Sequence, residues 1–236
     1  MNETVLLSSA YLAPVQYYAK LFSYRRTVVE RYDHYVKQTY RNRCLIATPG
    51  GVQALTVPVE KAEGDKCLMK DVRISDHGNW RHQHWNALES AYRHTPFFEY
   101  YADDLRPFYE RRWTFLFDFN EALCATVCRL LDLEAVPVFT ERYTRPGVAL
   151  ALAGVGEIGS EAFDDFREVI LPKASGLPDT AFSPVPYYQV FSSRHGFLPN
   201  LSIVDLLFNM GPEGLLVLQR SCRQPIDKST SSDCQP

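Results

Sequence analysis

The first sixty residues constrain the fold more than any other part of the chain. An apolar run, VLLSS, an aromatic turn with helix, AYLAPVQYYAKL, and a third block, TVVERYDHYVKQTYRNRCLIA, follow one another without a gap. A short strand over 4–8, the turn at Pro14 and the helix-forming VQYYAKLF lead into a second apolar run at 27–32. A strand–helix–strand crossover within one sheet is right-handed and sets its strands parallel, so the chain opens as an α/β unit. Residues 34–47 read as an extended arm, Pro49-Gly50-Gly51 as a turn, and VQALTVPV at 52–59 as the antiparallel return of a hairpin. On an ideal strand Lys37, Thr39, Arg41 and Arg43 share one face. Such a stripe suits an anion held against aromatic rings, or a hairpin face turned to water.

The expected fold class is α/β: an N-terminal strand-helix-strand unit with a mixed sheet including a hairpin, plus a helical portion. With 236 residues and 46% hydrophobic content the chain can bury a full core. One globular domain over 1–222 is expected, with an insertion over 145–185 and a disordered tail over 223–236. A net charge of -3 and a pI near 6.1 exclude non-specific binding to nucleic acid or anionic membranes. The expected partner is a small-molecule substrate, a nucleotide-sugar among the candidates, with no nucleic acid and no membrane insertion. The N-terminal residues lack a positive leader and their apolar run is broken by serines, which points to the cytoplasm. Six cysteines without framework spacing suit reduced thiols, and Cys124 and Cys128 fall one helical turn apart, as packing residues do. No feature specifies a cofactor or an oligomeric state.

Further along, KDVRIS at 70–75 reads as a strand, and Asn79 as the cap of a helix, WRHQHWNALESAYRH, with Trp85, Leu88 and Tyr92 on one stripe. Two more helices are expected in EYYADDLRPFYERRW and DFNEALCATVCRLLDL, a strand at 136–143, and a long loop at 172–186. In PNLSIVDLLFNMGPEGLLVLQ, Ser202 and Asp205 have capping-box spacing and Gly211-Pro212 stops the helix.

GVGEIG at 154–159 has the GxGxxG spacing of a dinucleotide fingerprint and precedes a potential helix, SEAFDDFREVI. Glu157, Glu161, Asp164 and Asp165 put negative charge where a helix N-terminus would receive pyrophosphate, which favours a glycine-bearing surface insertion. Asp76, His77, His82 and His84 form no shared metal site, because His82 and His84 lie on different sides of a helix. GxSxG, Walker, HExxH and paired CxxC motifs are absent.

The blocks AYLAPVQYYAKL, DHYVKQTYRNR, HWNALESAYRHTPFFEYY and FLPNLSIVDLLFNMG together resemble the WbqC-like family, from about Leu6 to Leu218 apart from 145–185. Tyr11, Pro14, Tyr18, Lys37, Asn42, Arg43, His84, Glu89, Tyr92 and Pro96 match its pattern. Where many members have Gln-Pro and Gly, this chain has Ser9-Ala10 and Tyr17, so its pocket is expected to differ. The resemblance implies surface-polysaccharide biosynthesis of the O-antigen type, with transfer of glycine or another acyl group to a sugar. In that chemistry His84 is the candidate base, with Glu89 or Asp33 as its orienting carboxylate. Lys37 and Arg43 would hold substrate phosphates. Tyr11, Tyr18 and Tyr92 would stack on a sugar or base, with Pro14, Asn42 and Asn200 also facing the substrate. The bland assignments are a core-edge histidine and core aromatics. Two other functions stay open: a degenerate nucleotidylyltransferase-like nucleotide-binding protein, lacking the histidines of that turn, and a non-catalytic sugar-binding or partner protein with an exposed apolar patch that includes 146–153.

Overall fold

The computed structural model of the chain describes residues 2–61, 67–145, 148, 150–152, 156–159, 163–173 and 177–222. Strand β1 (Thr4–Ser8), helix α1 (Val15–Ser23) and strand β2 (Arg26–Glu30) form the expected crossover, and β2 pairs parallel with β1 from Thr4 opposite Arg26 to Ser8 opposite Glu30. The hairpin follows as β3 (Arg43–Thr48) and β4 (Gly51–Thr56). Helices α2 (Trp80–Tyr92), α3 (Phe98–Leu105), α4 (Pro107–Glu110) and α5 (Leu116–Leu130) make the helical portion. Two short strands, β5 (Val138–Phe139) and β8 (Phe163–Asp165), complete a parallel sheet of order β5-β2-β1-β8. Between them β6 (Leu150–Leu152) and β7 (Gly156–Ile158) pair as an antiparallel ribbon. The chain closes through α6 (Ser192–His195), α7 (Ile203–Met210) and α8 (Gly214–Ser221).

Strand periodicity explains why β1 is apolar on both sides. Val5 and Leu7 join Val29 in the large core with the helices, while Leu6 and Val28 pack on Leu150, Leu152 and Phe163. Alternate residues serve opposite faces, and both faces are covered, as parallel strands require. Helix α2 aligns Trp80, His84, Leu88 and Tyr92 on its buried side, which carries two of the three residues expected on the stripe; Trp85 is only partly buried.

Several expectations are corrected. Residues 34–42 are not an extended arm: they turn repeatedly, and the strand starts only at Arg43. The basic stripe is therefore broken, with Lys37 exposed, Arg41 buried and Arg43 between. KDVRIS gives a 3-10 turn at Met69–Asp71 and isolated bridges at Arg73 and Ile74. The helix expected over 99–113 breaks before Pro107, which lacks the N–H to continue it. The strand expected at 136–143 shrinks to Val138–Phe139. SEAFDDFREVI contributes β8 instead of a helix, while Gly156–Ile158 is a strand and Gly154 lies outside the described residues. The tail over 223–236 also lies outside them. Among the described residues no helix is long and apolar enough to cross a membrane. Cys44, Cys67, Cys124, Cys128 and Cys222 are free thiols.

At α7 the expected capping box is absent. Ser202 Oγ donates instead to the Leu12 carbonyl at 2.7 Å, tying α7 to the loop after β1. Asp205 is buried and accepts from Tyr92 Oη (3.0 Å), Tyr187 Oη (2.7 Å) and Gln189 Nε2 (2.8 Å), and the Tyr92 hydroxyl also receives the Ala47 N–H. Burial pushes the Asp205 carboxyl up although its three donors oppose the shift. Gly211 ends α7 at φ 54°, and a Cβ there would meet the Phe97 ring at 2.5 Å, so glycine is required twice over. Asp205→Ala would take the carboxylate acceptor from the Tyr92 and Tyr187 hydroxyls, while Gln189 Nε2 keeps the Leu198 carbonyl, and should cost about 2–4 kcal/mol in urea denaturation. A loss below about 1 kcal/mol would contradict the role given to this network.

Candidate functional site

In an open parallel sheet, ligands sit beyond the carboxyl ends of the strands, where the chain reverses its direction of strand addition. Here β1 is followed by β2 and then β5 on one side, and β8 is added on the other, so the reversal lies between β1 and β8. A small cleft opens at that place. Its walls include Ser8, Ser9 and Tyr17 from the β1–α1 end, Arg41 from the turn before β3, and Phe166 and Arg167 just after β8.

The cleft is backed by buried charge. Arg41 and Asp33 form an ion pair with side chains only 3% and 8% exposed, and Arg41 Nη2 also donates to Ser8 Oγ at 3.0 Å. Asn120 Nδ2 on α5 donates to Ser9 Oγ (3.2 Å) and to the Arg41 carbonyl (2.8 Å), locking the second serine and the arginine backbone together. Arg167 forks onto Asp165 at 3.0 and 2.6 Å and reaches Glu30 at 3.5 Å. Glu30, at the end of β2, further accepts from Thr140 Oγ1 and the N–H groups of Tyr32 and Thr144. Both guanidiniums in the wall thus have carboxylates of their own. Three atoms around the cleft stay unpartnered among the described residues: Arg41 Nε, a donor, and Asp33 Oδ1 and Asn120 Oδ1, both acceptors. Buried polar atoms are rarely left so.

The β1–α1 loop that shapes this edge holds strain. Leu12 has φ 39°, unusual for a branched aliphatic residue, and its carbonyl is clamped by Ser202. Pro14 bridges Ser202, and Asn200 caps the Gln16 N–H at 2.9 Å. Gln16 and Lys20 in turn hold Asp179.

The expected site residues separate into groups. Tyr11 is buried; its hydroxyl meets His84 Nδ1 at 2.9 Å and Tyr109 Oη at 2.8 Å under the rings of Phe119 and Trp80. His84 is also hydrogen-bonded to the Thr56 backbone, and burial pushes it down to about 4, so it is a neutral core histidine and a poor proton acceptor. Glu89 is exposed, and Asp33 pairs with Arg41, so neither orients His84. Tyr18 and Tyr92 are fully buried core residues. Asn42 donates to the Val57 carbonyl and Arg43 Nε to Thr56 Oγ1, while Lys37 stands in an exposed turn. The polar groups that line the cleft include Ser8, Ser9, Arg41 and Arg167; Asp33 and Asn120 stand behind them, bonded to Arg41 and Ser9, with Glu121 also beside Ser9. Asn120 and Glu121 carry no sequence motif: Asn120 is buried on α5 and Glu121 partly buried next to it, and only the fold brings them to Ser9 and Arg41.

Glu121, partly buried, is the group beside the cleft that titrates near neutrality. Burial pushes its carboxyl up to about 7, the Ser9 hydroxyl pulls it back and the Asp118 charge adds to the rise. Folding therefore favours its protonated form: that stabilisation is complete below about pH 4.5 and is lost as pH rises through 7. His84 acts in the opposite sense, its stabilisation present above about pH 6.5 and lost as pH falls through 4. Glu121→Gln should flatten the decline between pH 4.5 and 7 and gain ~1–3 kcal/mol at pH 8 relative to pH 5. Chemical denaturation across that range checks it, and an unchanged slope would contradict it.

The profile of the WbqC-like protein family matches residues 9–153, a stretch that holds Ser9, Asp33, Arg41, Asn120 and Glu121. An uncharacterised protein of Mycobacterium tuberculosis is 30% identical over 236 residues, covering 95% of this chain and 100% of that protein. No solved structure matches the chain. With more than half of its residues under the family profile, and the cleft-forming turn and helix inside that span, the chain belongs to the WbqC-like protein family.

Proposed function

We propose that this protein is a transferase of surface-polysaccharide assembly, of the O-antigen type, which passes glycine or another small aminoacyl group to a sugar. The observation that carries this is the incomplete Asp33–Arg41 pair at the cleft. Within one desolvated pair it leaves an acceptor, Asp33 Oδ1, and a donor, Arg41 Nε. An aminoacyl group offers the complement at short range: an ammonium for Asp33 and a carbonyl oxygen for Arg41, where charge develops as the carbonyl is attacked. Glu121 takes the acid–base role first given to His84, since its carboxyl is tuned near the working pH. Lys37 and Arg43 do not line this cleft, and the wall arginines are already neutralised by Asp33, Asp165 and Glu30. That balance favours an aminoacyl group, which carries an ammonium and no free anion, over a nucleotide diphosphate.

A nucleotide-binding protein without transferase chemistry is the second reading, favoured by one observation, the parallel β1–α1–β2 unit with its cleft at the strand reversal. For the third, a non-catalytic sugar-binding or partner protein, the patch over 146–153 is divided: Val148 is exposed, whereas Leu150 and Leu152 are buried with Leu6 and Val28.

Thermal-shift titration separates these. Glycine amide or glycine ethyl ester, which keep the ammonium and carbonyl, should stabilise the wild type, by about 2.7 kcal/mol at a hundred times Kd. Asp33→Asn, with its fold verified by circular dichroism, should lose that response. Stabilisation by nucleotides alone would favour the second reading, and an equal response in Asp33→Asn would overturn the first.

A further inference from the structure

Away from the cleft wall, three arginines lie on three rings of one short segment. The Arg111 guanidinium is 3.8 Å from the Trp113 ring centre, Arg73 is 5.1 Å from that of Phe115, and Arg31 is 5.7 Å from that of Phe117. The rings occupy alternate residues, whereas the cations come from three parts of the chain: the end of β2, the bridge at Arg73 and the turn after α4. Backbone contacts fix the layout, since Arg73 bridges Phe115, the Leu116 N–H donates to the Val72 carbonyl and the Lys70 N–H to that of Arg31.

The electrostatics are unusual for this protein. Arg81, Arg106 and Arg112 nearby each hold a carboxylate. Among the described residues Arg31, Arg73 and Arg111 hold none, and Arg31 Nε is buried without an acceptor. Arg73 and Arg111 are exposed. A guanidinium lying on a ring keeps its N–H edge outward and loses little freedom when it binds an anion. The result is two exposed, pre-oriented guanidiniums, Arg73 and Arg111, with the partly buried Arg31 on the next ring of the same segment.

The kind of anion follows from what surrounds the row. Single-stranded nucleic acid needs open ring faces for its bases, and here guanidiniums cover them. An anionic membrane surface is met by four to eight clustered basic residues, often with apolar anchors, and no large exposed hydrophobic residue lies within 111–117. A short soluble chain of carboxylates needs only spaced, rigid donors. Arg31 stands two residues before Asp33, whose carboxylate pairs with Arg41 of the cleft wall.

We propose that Arg31, Arg73 and Arg111, backed by Phe117, Phe115 and Trp113, form a binding surface for an acidic oligosaccharide with carboxylates on successive sugars. The choice of a saccharide rests on the transferase reading above; the choice of a polyanion rests on the row alone.

The test is calorimetric titration of the full chain with oligogalacturonate and with a neutral maltooligosaccharide of equal length, at low and moderate salt. Oligogalacturonate should bind and the neutral sugar should not, with affinity falling as salt rises. Arg73→Ala and Arg111→Ala, both at exposed positions, should each weaken binding roughly tenfold and the double variant should abolish it. The glycine-amide response should persist in the double variant, because it reports the cleft and not the row. Absence of oligogalacturonate binding, equal binding of the neutral sugar, undiminished binding by the double variant, or preference for phosphatidylglycerol vesicles or single-stranded DNA would each overturn the proposal. Loss of the glycine-amide response in wild type, with oligogalacturonate binding intact, would count against the transferase reading alone.

Discussion

The ion pair between Asp33 and Arg41 is the constraint around which the carboxyl edge of the sheet is arranged. Two charges removed from water cost several kcal/mol each unless they meet in good geometry with further hydrogen bonds. Asp33 and Arg41 lie in one turning segment, and their partners reach in from β1 through Ser8 and from α5 through Asn120. Breaking either side would strand a buried charge, so the segment between β2 and the hairpin is pinned although it has no regular structure. That pinning sets where β1 ends, how the β1–α1 loop leaves it, and what remains open between β1 and β8.

A second polar system lies deeper and does a different job. Tyr11, His84 and Tyr109 satisfy one another beneath an aromatic lid, and Tyr92 joins Tyr187 and Gln189 on Asp205. These contacts join the helices to the hairpin and the β1–α1 loop. At the strand ends the buried Asp33–Arg41 pair and Asn120 keep unpartnered atoms behind the cleft wall, and burial raises the Glu121 carboxyl to about 7.

The sequence made local structure legible wherever one period or one turn decided it. An apolar run, a proline and a helical stretch specify β1–α1–β2, Pro49-Gly50-Gly51 specifies the hairpin, and the spacing of Leu88 and Tyr92 gives the inner side of α2, on which His84 and not Trp85 completes the stripe. Strand alternation misled at 34–42, where the pairing of Arg41 with a carboxylate eight residues earlier bends the chain out of any strand. The place of β8 beside β1 bridges more than 150 residues and has no local signature. Glu121 was invisible for a related reason: its shifted carboxyl depends on Ser9, Asp118 and burial together, which no spacing along α5 encodes. The arginines on the rings of Trp113, Phe115 and Phe117 arrive from elsewhere in the chain, so only the folded arrangement displays the row.

The most direct test of the account is to observe Arg41 Nε–H itself. In a 1H–15N spectrum of arginine-labelled protein, this buried group should give a slowly exchanging Nε–H signal, assigned by its loss in Arg41→Lys. Added glycine amide should shift that signal more than any other arginine side-chain resonance, as a carbonyl oxygen takes up the unpartnered donor. An Arg41 signal unmoved at saturating ligand, with shifts gathered instead around Lys37 and Arg43, would contradict the placement of the site at the carboxyl edge of the sheet.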